Sequence, residues 1–257
     1  MQSVPPAANG RPPSPAATPA AAAPAAASAA AFGSEDAARG ALLEAARAMA
    51  PLGINHGSAG NLSIRWHRGG ADGLLITPSA LPYERCGIDD VVWLSLVAPG
   101  ASTEPRVDGR RRPSSEWRFH HDLYAHRADL QAIVHTHAPH CTALACLPRV
   151  QREGIPPFHY MVAVAGGRDV RCAPYATFGT QALSDHALAA LQDRRACLLA
   201  HHGMIATGAS LEAAMALAVE VEAMARAYAL ALQLGGPALL SDDEMARVLE
   251  RFADYRP

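Results

Sequence analysis

Short apolar runs of strand length, each closed by a turn-forming or polar residue, alternate along this chain with stretches of helical period. Strand-like runs at 62–66, 74–77 and 91–96 follow one another closely, as hairpin-linked neighbours do. A helix over 116–126 precedes a strand at 132–135. Strands near 170–173, 197–200 and 204–206 then accompany a helix over 181–192. Helices over 211–234 and 242–252 close the chain. This interleaving predicts an α/β single domain with a mixed, mostly antiparallel central sheet covered by helices, and not a strict βαβ repeat.

Ser34 is a good N-cap, with Glu35 and Asp36 in a first turn and an apolar stripe of Leu42, Leu43, Ala46 and Met49 before Pro51 and Gly53. Ser241 and Glu244 have the spacing of a capping box for the last helix. Residues 1–33 are mostly Ala, Pro and Ser, with prolines such as those at 12, 13, 15, 19 and 24 interrupting any helix the alanines favour. They read as a disordered tail, leaving 34–257 as the folded domain.

The balanced charge, -2 with a pI near 6.6, gives no general pull towards nucleic acid or an anionic membrane. No apolar run approaches the roughly 18 residues of a membrane span. The Arg110-Arg111-Arg112 cluster reads as a solvated loop. Five scattered cysteines without a CxxC pair read as buried, reduced thiols of a cytoplasmic protein. All 22 basic residues are arginine. Without a lysine amine, Schiff-base chemistry and pyridoxal phosphate attachment are excluded, so carbonyl chemistry here would need a metal.

Val134-His135-Thr136-His137 ends an apolar run, and residues two apart on a strand share a face. Leu198-Leu199-Ala200-His201-His202-Gly203 repeats the pattern, with only one of its two histidines able to face a common point from a strand. Three histidines at strand ends form a set that leaves zinc an open position. Glu116, opening a helix, either complements the helix dipole or serves the metal as ligand or base. Ser114 and Ser115 beside that helix start, and the loop Gly57-Ser58-Ala59-Gly60-Asn61, are suited to an anion or to plain turns.

Gly60-Asn61-Leu62-Ser63, Thr77-Pro78-Ser79, Ser114-Ser115-Glu116, His135-Thr136-His137 and His201-His202-Gly203 stand in the order of the class II aldolase/adducin family, which the chain resembles from about residue 35 to Tyr255. The resemblance implies a zinc-dependent aldolase that cleaves a ketose 1-phosphate of the L-fuculose 1-phosphate type to dihydroxyacetone phosphate and an aldehyde. Family relatives with 4-epimerase, decarboxylase or dehydratase chemistry, and a non-catalytic adducin-like module, are the competing readings. It implies one Zn2+ per chain on Glu116, His135, His137 and His202, with Glu116 a ligand at rest and a base in turnover. It further implies a phosphate pocket of Asn61, Ser79, Ala80, Ser114 and Ser115, although the family usually has glycine where this chain has Ala80. Tyr160 and Tyr255 are the implied catalytic tyrosines. Tyr160 would take the substrate hydroxyl proton, a role that needs nearby positive charge whose source the sequence does not show. A homotetramer with active sites at its subunit interfaces is implied too, so that Tyr160 serves a neighbour's site.

Overall fold

A computed structural model describes residues 32–254. Most of the expected tail and the whole of Tyr255 lie outside them. Phe32 packs against the core, so packing begins two residues before the boundary expected at Ser34. The elements are α1 (Glu35–Ala48), β1 (Asn61–Arg65), β2 (Gly73–Ile76), β3 (Val92–Ser95), β4 (Val107–Asp108), α2 (Trp117–His126), β5 (Ala132–Thr136), α3 (Pro139–Ala145), α4 (Pro148–Glu153), β6 (Cys172–Ala173), α5 (Gln181–Ala190), β7 (Ala196–Leu199), β8 (Gly203–Gly208), α6 (Leu211–Gln233) and α7 (Asp242–Asp254).

One eight-stranded sheet runs β4-β3-β2-β1-β5-β8-β7-β6. Every neighbouring pair is antiparallel except β6 with β7. This is the mixed, mostly antiparallel sheet that the alternation predicts. The period of two divides it into two cores. Leu62, Ile64, Ala132, Val134, Met204 and Ala206 pack with α1, α3 and α6 on one face. Leu74, Ile76, Ile133, Cys197 and Ile205 pack with Phe119, Leu123 and Tyr124 of α2 and Leu183 of α5 on the other. Burying each such large side chain contributes roughly 1.5–3 kcal/mol. Asn61 and Ser63, the alternate residues of β1, point their polar groups towards α2.

Ser34 Oγ accepts the Ala37 N–H at 3.2 Å as predicted; at Ser241 half of the capping box forms, its Oγ accepting the Glu244 N–H at 3.2 Å while the Glu244 carboxylate turns to Arg247. Other expectations need correction. The strand expected near 170–173 shrinks to two residues, because Val170 bridges Ile155 instead. The helices α3 and α4 were not expected. Each begins with a proline in its first turn, and the buried carboxylate of Glu222 accepts the N–H groups of His140 and Cys141 at the start of α3. The arginine cluster is not simply solvated, since Arg110 Nε and Arg111 Nε hold buried Asp90 Oδ1 at 3.0 and 2.8 Å. Arg111 and the Gly87 N–H together keep that carboxyl well below its ordinary range. All five cysteines are free, but Cys146 is exposed and Cys172 only partly buried. Among the described residues no helix is long and apolar enough to cross a membrane.

Candidate metal centre

The centre sits where β5 ends, on the sheet face covered by α2. His135 is fully buried, and its Nδ1 lies 2.9 Å from the Met204 carbonyl of the neighbouring β8. A carbonyl only accepts, so Nδ1 carries the hydrogen and Nε2 presents a lone pair. That Nε2 lies 3.1 Å from Glu116 Oε2 and 3.2 Å from His137 Nε2. His202 Nε2 lies 3.2 Å from Glu116 Oε1. These are the only four His, Cys, Asp or Glu ligands among the described residues whose donor atoms gather so, all within 4.8 Å of one another.

Such a convergence suits a cation. Lone pairs of imidazole and carboxylate face each other at hydrogen-bond range, and Glu116 Oε1 is buried with no hydrogen-bond partner. Tetrahedral zinc with metal–nitrogen bonds of 2.0–2.1 Å would space its ligands about 3.3 Å apart, close to the separations found. The donor set therefore fits a metal ion of this kind. Burial favours the neutral form of Glu116, but His135 and His202 outweigh it and keep the carboxyl well below its ordinary range. Burial first, then His135 and His202, hold His137 down to about 4, so it stays a neutral ligand.

Local backbone chemistry makes the cluster possible. A Cβ on Gly60 would lie 2.4 Å from the His135 carbonyl oxygen, and one on Gly203 would lie 2.3 Å from that of Thr136. Both glycines let neighbouring chain close on the end of β5. Contrary to expectation, neither His201 nor His202 belongs to a strand. They lie in the turn joining β7 to β8, where the His202 N–H donates to Leu199 O at 3.0 Å. His201 takes the positive φ of +56° that the third turn position demands. That rotation directs exposed His201 to Gln151, leaving His202 to face Glu116. Glu116 itself stands at the N-terminus of α2, bonding no backbone N–H there with its side chain. Its carboxylate is aimed at the histidines.

Ser79, Ser114 and Ser115 line one cleft of about 520 Å³, with Arg112 and Glu104. The Ser79 and Ser114 N–H groups are spent on the carbonyls of Arg112 and Thr77. Ala80 is exposed, is not part of that lining, and has φ +56°, a conformation that glycine adopts without strain. Asn61 is buried and not part of that lining, and its Nδ2 donates to Glu116 Oε2 at 2.9 Å, while Ser114 Oγ accepts the Glu116 N–H at 3.3 Å. Tyr160 does not join the histidine cluster. It is half exposed on a short 3-10 segment, Tyr160–Ala165, and lines a cavity of about 740 Å³ with Phe252, Arg247 and Arg251. Glu244, which pairs with Arg247, lines the same cavity. His120 escaped the sequence reading altogether. It is completely buried in α2, with Nε2 2.5 Å from Asn61 Oδ1.

A family described as the class II aldolase and adducin N-terminal domain matches residues 40–229. The chain is 55% identical over 223 residues to a 5-methylthioribulose-1-phosphate/5-deoxyribulose-1-phosphate aldolase of Rhodospirillum rubrum, covering 87% of this chain and 94% of that one. It is 46% identical over 215 residues to an L-fuculose phosphate aldolase of Escherichia coli K12, covering 83% and 93%. A solved L-fuculose 1-phosphate aldolase superposes with a TM-score of 0.74 at 36% identity, over 84% of this chain and 95% of the other. The chain therefore belongs to the class II aldolase and adducin N-terminal domain family and is a lyase of its aldolase branch.

Proposed function

We propose that this protein cleaves a ketose 1-phosphate to dihydroxyacetone phosphate and an aldehyde, using one zinc ion held by Glu116, His135, His137 and His202. The observation that carries the reading is the convergence of those four donors, with Ser115 and Trp117 on either side of Glu116 lining a cleft that also holds Ser79 and Ser114. Zinc supplies Lewis acidity, withdrawing the negative charge that develops as the carbon–carbon bond breaks. Ser79, Ser114 and Ser115 grip the phosphate through their hydroxyls, with the Ala80 backbone at the edge of the same loop. Asn61, whose amide donates to Glu116 Oε2, steadies that carboxylate at the edge of the pocket. Glu116 transfers the proton at the carbon that becomes the hydroxymethyl group of dihydroxyacetone phosphate. Tyr160 of a neighbouring subunit in a homotetramer takes the proton of the hydroxyl whose carbon becomes the aldehyde, with Arg247 and Arg251 beside it, and Tyr255 assists at the mouth.

Both relatives are named for phosphorylated ketoses that differ in the aldehyde half. The greater identity to the first supports a 5-deoxy- or 5-methylthiopentulose 1-phosphate as the preferred substrate over L-fuculose 1-phosphate. Product analysis with these three compounds and a pentulose 5-phosphate tests the choice. Release of dihydroxyacetone phosphate from none of them would refute it. The roles of metal and carboxylate are tested by Glu116→Gln. Zinc should remain near one per chain. Cleavage should fall about a hundredfold to ten-thousandfold, and exchange of a dihydroxyacetone phosphate hydroxymethyl proton with deuterated solvent should fall with it. Exchange at the native rate in a zinc-loaded variant would remove Glu116 from the mechanism.

A further inference from the structure

Behind Glu116 lies a chain of four side chains in which the hydrogens from Asn61 to Ser63 can be placed. A carboxylate only accepts, so the Asn61 amide must turn its NH2 to Glu116 Oε2 and its oxygen to His120 Nε2. His120 Nε2 is therefore the protonated nitrogen, and Nδ1 accepts from Ser63 Oγ, 2.7 Å away. The Tyr124 hydroxyl lies 3.0 Å from both the Ser63 carbonyl oxygen and Ser63 Oγ, and with the Ser63 hydrogen on His120 it donates to one of them, tying the end of the chain to β1. His120, Ser63 and Tyr124 are buried, and Phe119 stacks on the His120 ring at 4.6 Å while its edge meets His135 at 5.5 Å. All four groups are neutral, so the chain carries direction and no charge. Its one consequence at the metal centre is to occupy Glu116 Oε2 and leave Oε1 without a partner.

We propose that His120 is a positioning residue for Glu116, holding the Asn61 amide so that one carboxylate oxygen is tethered and the other is free for the metal and for the substrate proton. This rests on the proton-transfer role given above to Glu116. A tether on Oε2 competes with the metal for that oxygen, so its loss should let the carboxylate settle on the metal and leave it less able to move a proton. Rate and metal affinity should then part company, whereas simple damage to the fold would lower both.

The test compares His120→Leu and His120→Gln in the full chain, with Glu116→Gln as reference. Leucine removes both ring hydrogen bonds; glutamine can again offer an N–H to Asn61 Oδ1. For His120→Leu, kcat should fall about tenfold to a hundredfold with KM within about threefold, and zinc affinity, measured by competition with a chromogenic chelator, should be unchanged or tighter. His120→Gln should recover most of the rate. A kcat within about threefold of the parent in His120→Leu, parallel losses of rate and zinc affinity, or equal losses in both variants would overturn the proposal. Should His120→Leu fail to fold, Ser63→Ala decides, since it removes only the donor to Nδ1. A severalfold drop in kcat at unaltered zinc affinity supports positioning, and an unaltered kcat refutes it. If Glu116→Gln keeps its turnover, the role of Glu116 itself has failed. If only His120→Leu keeps turnover, the positioning alone has.

Discussion

Replacing Gly203 by alanine should damage the metal centre from outside it. An added Cβ would sit 2.3 Å from the Thr136 carbonyl oxygen and 3.2 Å from His137 Cδ2, where Cβ atoms essentially never come closer than 3.0 Å. The β7–β8 turn must therefore back away from β5 by about 0.7 Å or more, since both obstacles belong to packed groups and one is backbone. His202 directly precedes Gly203, while Thr136 lies between His135 and His137, so the movement separates one ligand from the other two. A shift of this size typically costs on the order of a hundredfold in a rate that depends on aligned groups. Loss of one well-placed ligand geometry lowers metal affinity by roughly ten- to a hundredfold. Zinc affinity by chelator competition and kcat on the preferred ketose 1-phosphate measure both effects. Native zinc affinity together with native kcat in Gly203→Ala would refute the reasoning, because it would show that the turn can yield without moving His202.

Ala80→Gly should stabilise the protein by up to about 1 kcal/mol, because φ +56° strains a residue with a Cβ by more than glycine's extra unfolded-state entropy costs; thermal melting decides the sign. Burial, aided by His135, holds His120 at about 3, below its ordinary value near 6.5, so the unfolded chain takes up its proton first as pH falls. Its stability contribution is then complete above pH 6.5 and is lost towards pH 3, at about 1.4 kcal/mol per pH unit. In metal-free protein, His120→Gln should flatten the fall of stability between pH 6 and 4, and an identical slope would contradict this. Deleting residues 2–31 should leave kcat and melting temperature nearly unchanged, since an Ala/Pro/Ser sequence offers little apolar surface. Ser34→Ala in the shortened chain should cost about 1 kcal/mol more by removing the cap on α1.

Sequence periodicity revealed the fold wherever burial writes itself into every second or every third to fourth residue. Strands β1, β2, β3, β5 and β8 are buried along nearly their whole length, and each was expected within a residue or two of its observed bounds. The signal fails where an element is held by something other than its own apolar side chains. Strand β4 is two exposed residues, Val107 and Asp108, that pair with β3 through the backbone. Helix α3 is begun by Pro139 and by a carboxylate of α6 more than eighty residues away. Neither leaves a periodic trace.

The site divides along the same line. His135 and His137 announced themselves because two-residue spacing at the end of an apolar run is a local geometric fact. The choice between His201 and His202 was not local in that sense: both fall in a turn, and the backbone rotation at His201, not strand alternation, sends one to Gln151 and the other to Glu116. His120 was least legible of all. In α2 it stands beside Phe119 as one more buried position, and its meaning depends on Asn61, 59 residues earlier, having been brought against it by the pairing of β1 with β5. A histidine written into a helix is chemically ambiguous until its partners are known. Here the partners force one tautomer, that tautomer orients an amide, and the amide holds one oxygen of a carboxylate. His135 and His137 could be read from local spacing, but the choice of His202 and the hydrogen-bond chain behind Glu116 exist only once the chain has folded.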